Sequence, residues 1–342
     1  MKWLLLTLYL LVLACRLWLR HLNLQHLKAY GHEVPAGFEG IVDRQLLGRT
    51  SAYTLATSRV GLIESLVSSL LLLLFLFGGL LAWYDDLILG VTTSFVGQGC
   101  LFVLGLLLAQ TLIDMPFSLY RTFVIEERFQ FNTSTPKLWI TDLLKSLAVS
   151  MILLSLLTAG SLFLVQASPN LWWLWVWGLF ALVTLILMYL SPVLIEPLFF
   201  KFQPLQDQAL AERVKAVMKQ AGLQVERVQQ VDASRRSKHS NAYFTGIGRV
   251  KRIVLFDTLL EQMSDDEILG VLALEAGQGR RGHFWFRVLS LAVVCRRVWW
   301  LVWLVLSRAG LGGWGGLVGL SLLGSVRRGG WLACLVGVAL SP

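Results

Sequence analysis

Acidic residues run out at Glu275. Beyond it the chain has no Asp, Glu or Lys but keeps eight Arg and six Trp, so this tail carries nearly all of the formal net charge of +9. A nucleic-acid-binding reading needs basic charge on a folded soluble face with interleaved aromatics, whereas here it lies inside apolar sequence; nucleic-acid partners are excluded. Cysteine is scarce as well. Cys15, Cys100, Cys295 and Cys334 each stand alone in an apolar run with no C-x-x-C pair, which favours buried inert thiols over a redox or metal role. Repeats at solenoid spacing and Ser/Gly linkers are also missing.

Apolar sequence is what the chain has in abundance. Hydrophobic residues make up 56% of 342 positions and mean hydropathy is +0.66, which marks an integral membrane protein. Spans are expected at roughly Trp3 to Leu19, Gly61 to Trp83, Val96 to Ile113, Ser146 to Val165 and Leu171 to Leu190. Arg20, Lys28, Arg44, Arg49 and Arg59 fill the first connection, and Arg121, Arg128, Lys137 and Lys145 fill the third. The alternate connections have no Lys or Arg, one of them carrying Asp85 and Asp86. Positive-inside bias places the basic loops, and then the polar stretch after Leu198, in the cytoplasm. Val12 to Cys15 resembles a lipoprotein cleavage box, but Leu17, Trp18 and Leu19 continue the apolar run past it and favour an uncleaved first span. Glu64 in the second span is expected to face the protein interior or to snorkel.

Three parts are expected: residues 1–200 as a transmembrane region of about five spans, 201–283 as the sustained soluble segment, and 284–342 as a hydrophobic Arg/Trp/Gly-rich tail. The soluble part is too small to be a free-standing enzyme, so any active site borrows walls from membrane helices. Asp207 to Ala221 has helical spacing and closes on Gly222; Gln224 to Val231 and Val250 to Phe256 read as strands. Ser264 followed by Glu267 is a capping box that opens another helix.

That helix carries the motif. Residues 264–283 read SDDEILGVLALEAGQGRRGH, the outline of a zinc-protease helix. The H-E-x-x-H pattern places two imidazoles on one helical face at i and i+4, with the Glu between them activating water. Here Leu274 and Gln278 stand at the ligand places and Glu275 at the general-base place. Glu275 also has a plainer reading as an exposed acid on an amphipathic helix. His283 lies nine residues after Leu274 and five after Gln278, a spacing that does not rescue the site.

The segments LIDMPFSLYRTFVIEERFQFN (112–132), IEPLFFKFQPL (195–205) and SRRSKHSNAYFTGIGRVKRIVLFDTLL (234–260) resemble the integral-membrane zinc endopeptidases of the type I CAAX prenyl protease family. The resemblance implies a membrane all-α bundle enclosing a water-filled chamber, with a small cytoplasmic α+β zincin-like domain at its edge. It implies peptide-bond hydrolysis by zinc-activated water with Glu275 as base, two His ligands at the places of Leu274 and Gln278, and a third ligand from a later Glu. Asn241, Ala242, Tyr243 and Phe244 map onto the family's substrate-pairing strand. Partners are then a peptide or protein substrate and the lipid bilayer. With both His and the later Glu missing, zinc binding and hydrolysis are not expected of this chain, and the alternative is a noncatalytic peptide-binding pseudoprotease or membrane scaffold. Gln130 stands where the family has Gly, and Glu126, Glu127 and Arg128 read as a solvated helix end near the chamber mouth. Arg235, Arg236, Lys238 and His239 read as a solvated charge run or as the approach to the substrate strand. Arg296 and Arg297 interrupt the tail's best apolar run, and the abrupt change in composition points to a shifted reading frame or a degenerating gene.

Overall fold

In lipid a backbone must satisfy its own hydrogen bonds, so the long apolar runs become helices. The computed structural model describes residues 2–34, 37, 40, 43–245, 250–280, 290, 293–297 and 300. The expectations for His283 and for most of the tail lie outside the described residues. Among the described residues four helical runs are long and apolar enough to cross a membrane: Arg44–Phe77, Phe95–Glu126, Pro136–Ala167 and Trp172–Phe199. Contacts divide the chain into two compact units, Met1–Gly79 with Thr111–Asn132, and Leu80–Gln110 with the chain from Thr133 onward.

In the first unit, α1 (Lys2–Tyr30) runs unbroken through Cys15 and precedes α2 (Arg44–Phe77). Arg20 ties the two together by donating to the carbonyls of Ser58 and Gly61 at 2.8 and 3.0 Å. The end of α4 (Phe95–Tyr120), which contains Pro116, passes into a π-helical turn at Arg121–Glu126. Two contacts fasten that turn to α2. Arg121 pairs with Glu64 at 2.5 Å, so the acid in the second apolar run is neutralised by a neighbouring helix. Tyr53 donates its hydroxyl to Glu126 at 2.5 Å, so Glu126 does not belong to a solvated end.

The stretch Gly61 to Trp83, expected as one span, is divided. Helix α2 stops at Phe77, the Gly78 N–H donates to Leu74 O at 2.8 Å, and Gly79 takes a φ of +87° before α3 (Leu80–Val91) begins. A left-handed residue of this kind ends a helix, and glycine adopts it without steric penalty.

In the second unit, α5 (Pro136–Ala167) starts on Thr135, whose hydroxyl accepts from Leu138 N, with Pro136 in the first turn where its missing N–H does no harm. Helix α6 (Trp172–Leu190) continues through a second π-helical turn, Ser191–Ile195, into the short α7 (Glu196–Phe199). Pro192 and Pro197 mark this change of winding.

The chain then builds a mixed sheet from β1 (Phe202–Pro204), β2 (Gln224–Val231), β3 (Ala242–Thr245) and β4 (Val250–Phe256) in the order β1-β2-β4-β3. Strands β2 and β4 are parallel, and the outer pairs are antiparallel. Helix α8 (Gln208–Gln220) begins on Asp207, which accepts from Leu210 N, and ends before Gly222 at φ +79°. Helices α9 (Asp257–Gln262) and α10 (Asp265–Arg280) follow β4. One face of the sheet joins Leu210, Val214 and Met218 of α8 to Val228, Ile253 and Leu255 of the strands and to Ile268, Leu272 and Ala276 of α10. The other face, with Val231 and Val254, packs on Phe200 and Phe202, where the chain leaves α7.

Candidate active-site helix and edge strand

The start of α10 is fixed by its cap. Ser264 donates its backbone N–H, and its hydroxyl, to Glu267 Oε2 at 2.8 Å, and these two bonds hold the Glu267 carboxyl below its usual range. Arg213 of α8 pairs with Asp265 at 3.2 Å and also with Asp266. These side chains are exposed, so the pairs orient the first turn more than they stabilise it.

Four-residue spacing then fixes the helix's orientation. Ile268, Leu272 and Ala276 are buried at 0–1% exposure, which commits that face to the core. Leu274 points elsewhere, with 66% of its surface exposed. Residues 274 and 278 share a face by the i, i+4 rule. Glu275 and Gln278 lie on α10, but their side chains are outside the described residues.

The donor chemistry at this face does not fit zinc. A leucine side chain has no lone pair, and an amide oxygen is a poor substitute for imidazole. Among the described residues no group of three His, Cys, Asp or Glu side chains clusters in a way that could hold a metal ion.

Among the described residues strand β3 lies at the sheet's edge and pairs with β4 alone, Ala242 opposite Leu255 and Tyr243 opposite Val254. Asn241 precedes it and prolongs the ladder, its carbonyl accepting from Phe256 N at 3.1 Å. Strand alternation sends Ala242 and Phe244 into the core that also receives Leu272 and Ala276 of α10, so the candidate strand and helix share one core. Tyr243 goes to the opposite face and packs with Val231, Val254 and Phe256.

There its hydroxyl donates to Glu196 Oε2 at 3.0 Å, and Arg252 Nη2 of β4 donates to the same oxygen at 3.0 Å. Burial pushes the Tyr243 phenol well above its usual range, and the charge and hydrogen bond of Glu196 add to the rise. The guanidinium of Arg252 also lies 4.7 Å from the centroid of the Phe202 ring.

The loop before β3 is held from α9. Thr258 donates to His239 O at 2.9 Å and Gln262 donates to Lys238 O at 3.0 Å. Arg236 is not part of a solvated run. It grips Asp142 of α5 through Nε and Nη2 at 2.7 and 3.1 Å, donates to Phe199 O at 2.5 Å, and lies over Phe200 at 4.6 Å. Lys145, one turn further along α5, donates to Leu198 O at 2.7 Å. Sequence reasoning missed Asp142 and Glu196. Both stand beside or inside recognisable segments, but their partners are 94 and 47 residues away.

Apolar membrane-length helices joined to a small mixed-sheet domain define an integral membrane protein of helical-bundle plus α+β class. Residues 23–201 match the family described as CAAX prenyl protease N-terminal, five membrane helices, and residues 204–325 match Peptidase family M48. The chain belongs to this CAAX prenyl protease family. It is 32% identical over 270 residues to the CAAX prenyl protease 1 homolog of Arabidopsis thaliana, covering 76% of this chain and 63% of that protein. Identity to CAAX prenyl protease 1 of Saccharomyces cerevisiae is 42% over 194 residues, covering 56% of this chain and 42% of the yeast protein. The crystal structure of S. mikatae Ste24p superposes with a TM-score of 0.80 at 29% identity, covering 88% of this chain and 71% of the other. The chain therefore spans less than two thirds of the length of these two curated relatives.

Proposed function

We propose that this chain is a catalytically silent member of the CAAX prenyl protease family that keeps the family's peptide-binding edge strand and has lost the means to hold its zinc. The observation that carries the reading is Leu274: it stands exposed at the first ligand place of an otherwise well-formed helix. Glu275 keeps the general-base place, but without a bound metal there is no acidified water for it to deprotonate.

Asn241, Ala242, Tyr243 and Phe244 are assigned to ligand binding. Among the described residues the edge position of β3 leaves one side of its backbone open for pairing, which supports capture of an extended peptide by main-chain hydrogen bonds. The relatives' names point to a ligand with a prenylated C-terminal Cys, and a chain rich in apolar membrane-length helices suits such a tail. Residues 1–200 form the membrane region with α1 as a further span, 201–283 form the metalloprotease-like domain facing the cytoplasm, and 284–342 form the tail. The orientation rests on the basic connections between spans.

Two measurements on the purified full chain test the proposal. Elemental analysis is expected to find far less than one zinc per chain, and a labelled prenylated peptide is expected to bind without being cleaved. Stoichiometric zinc, together with peptide cleavage abolished by Glu275→Gln, would overturn the silent reading and establish a working hydrolase.

A further inference from the structure

Resting on the reading that β3 is the peptide-binding edge, we infer that Glu196 is a positioning residue that fixes this strand to the segment where the chain leaves the membrane helices. Glu196 opens α7, between Pro192 and Pro197, at the end of the helical run Trp172–Phe199. A single carboxylate oxygen accepts from Tyr243 of β3 and from Arg252 of β4, each at 3.0 Å. Two neighbouring strands are thus referred to one point on the exit segment.

Strand β3 needs such a reference. It has four residues and, among the described residues, one neighbour, so its own ladder gives it little rigidity. Ala242 and Phe244 hold it from the core face, and Tyr243 holds it from the opposite face through Glu196. A strand that serves as a template for a peptide must already have the paired geometry, because ordering it on binding subtracts from affinity. Arg252 adds a second reason. Its Nε is buried without a hydrogen-bond partner, so loss of Glu196 would leave a half-buried guanidinium poorly compensated beside β3.

The test uses the full chain in detergent and reads deuterium uptake in segment 241–245, with 224–231 and 268–276 as internal controls. Glu196→Ala is expected to speed exchange in 241–245 about tenfold, the size of effect that follows from losing a charge-assisted hydrogen bond, and to leave both controls unchanged. Glu196→Gln keeps an acceptor oxygen at the same reach and is expected to stay within about threefold of the parent. Binding of a fluorescein-labelled peptide ending in a farnesylated Cys and three further residues is expected to weaken about tenfold in Glu196→Ala and to recover in Glu196→Gln. Unchanged exchange in 241–245, or equal acceleration in all three segments, overturns the positioning role. If the parent chain binds no peptide, the peptide-binding reading fails while exchange still decides the role of Glu196. Should Glu196→Ala not fold, Tyr243→Phe removes only the strand's hydroxyl and is expected to speed the same segment about threefold; no change there overturns the inference.

Discussion

Asp142 and Arg236, 94 residues apart, meet in a two-pronged ion pair, Nε to Oδ2 at 2.7 Å and Nη2 to Oδ1 at 3.1 Å. Asp142 belongs to α5 and Arg236 to the turn between β2 and β3, so the pair joins a membrane helix to the sheet domain. Both side chains are about four-fifths covered, which makes an unpaired partner expensive. Arg236→Ala is expected to destabilise by about 2 kcal/mol, read as a lower thermal midpoint in detergent. Adding Asp142→Ala is expected to cost little more, because the charge it would strand is already gone. Arg236→Lys is expected to rescue poorly, since an ammonium cannot reproduce the fork or its stacking on Phe200. Fully additive losses would contradict the pairing.

Gln130 is the one non-glycine residue with positive φ among the described residues, at 64°. It follows the π-helical turn, where Arg49 of α2 donates to Phe129 O at 2.8 Å and reaches Gln130 Oε1 only weakly at 3.5 Å. The resemblance places glycine here, and the backbone gives the reason, since an L side chain in the left-handed region is strained by about 1 kcal/mol. Gln130→Gly is therefore expected to raise stability by no more than about 0.5 kcal/mol, because the added freedom of the unfolded chain offsets much of the strain relieved. A lower thermal midpoint in this variant would show that the Arg49 contact matters more than the strain.

Local signals made the sheet domain legible. Leu210, Val214 and Met218 recur at helical spacing, β2 falls on the alternating run and β4 on the second expected strand, and the pairing of Ser264 with Glu267 opens α10 as its residues predict. The membrane part was less so, because uniform hydrophobicity hides where a helix stops. The break at Gly78 and Gly79 sits inside an apolar run, and the π-helical turns at 121–126 and 191–195 continue the helices that lead into them, so no helix end announces the change of winding. Long-range partners were least accessible. Nothing near Glu196 tells that Tyr243 and Arg252 converge on it, and Arg236 looks like one more charge in a basic run until the fold brings Asp142 to it.

Restoring the two imidazoles separates a missing ligand pair from a missing site. Leu274→His with Gln278→His would place two nitrogen donors on one face of α10, because four residues span about one helical turn. No acid follows Glu275 within these 342 residues, so none of them offers a later carboxylate to complete the set. The double variant is expected to retain more zinc than the parent after dialysis, yet to cleave the labelled peptide at no more than about 1% of the rate of a three-ligand enzyme. Rapid cleavage by this variant would show that a third donor is available and that ligand loss at 274 and 278 alone explains the silence.

The position of Tyr243 also predicts a pH dependence. Its phenol is pushed up by burial and by Glu196, so the folded chain holds the proton more tightly than the unfolded chain does. The stabilisation is fully present below the ordinary phenol value of about 10 and is lost as pH rises beyond it, because the unfolded state ionises first. Between about pH 8 and 11 the urea midpoint of the parent is expected to fall more steeply than that of Tyr243→Phe, which has no proton to lose at this site. The comparison cancels the lysines and the other tyrosines common to both proteins. Glu196→Gln is expected to give an intermediate slope, since it removes the carboxylate's charge but leaves the burial. Parallel slopes in the parent and Tyr243→Phe would mean that the phenol is not protected in the fold, and would remove the close packing of Tyr243 against Glu196 on which the placement of β3 depends.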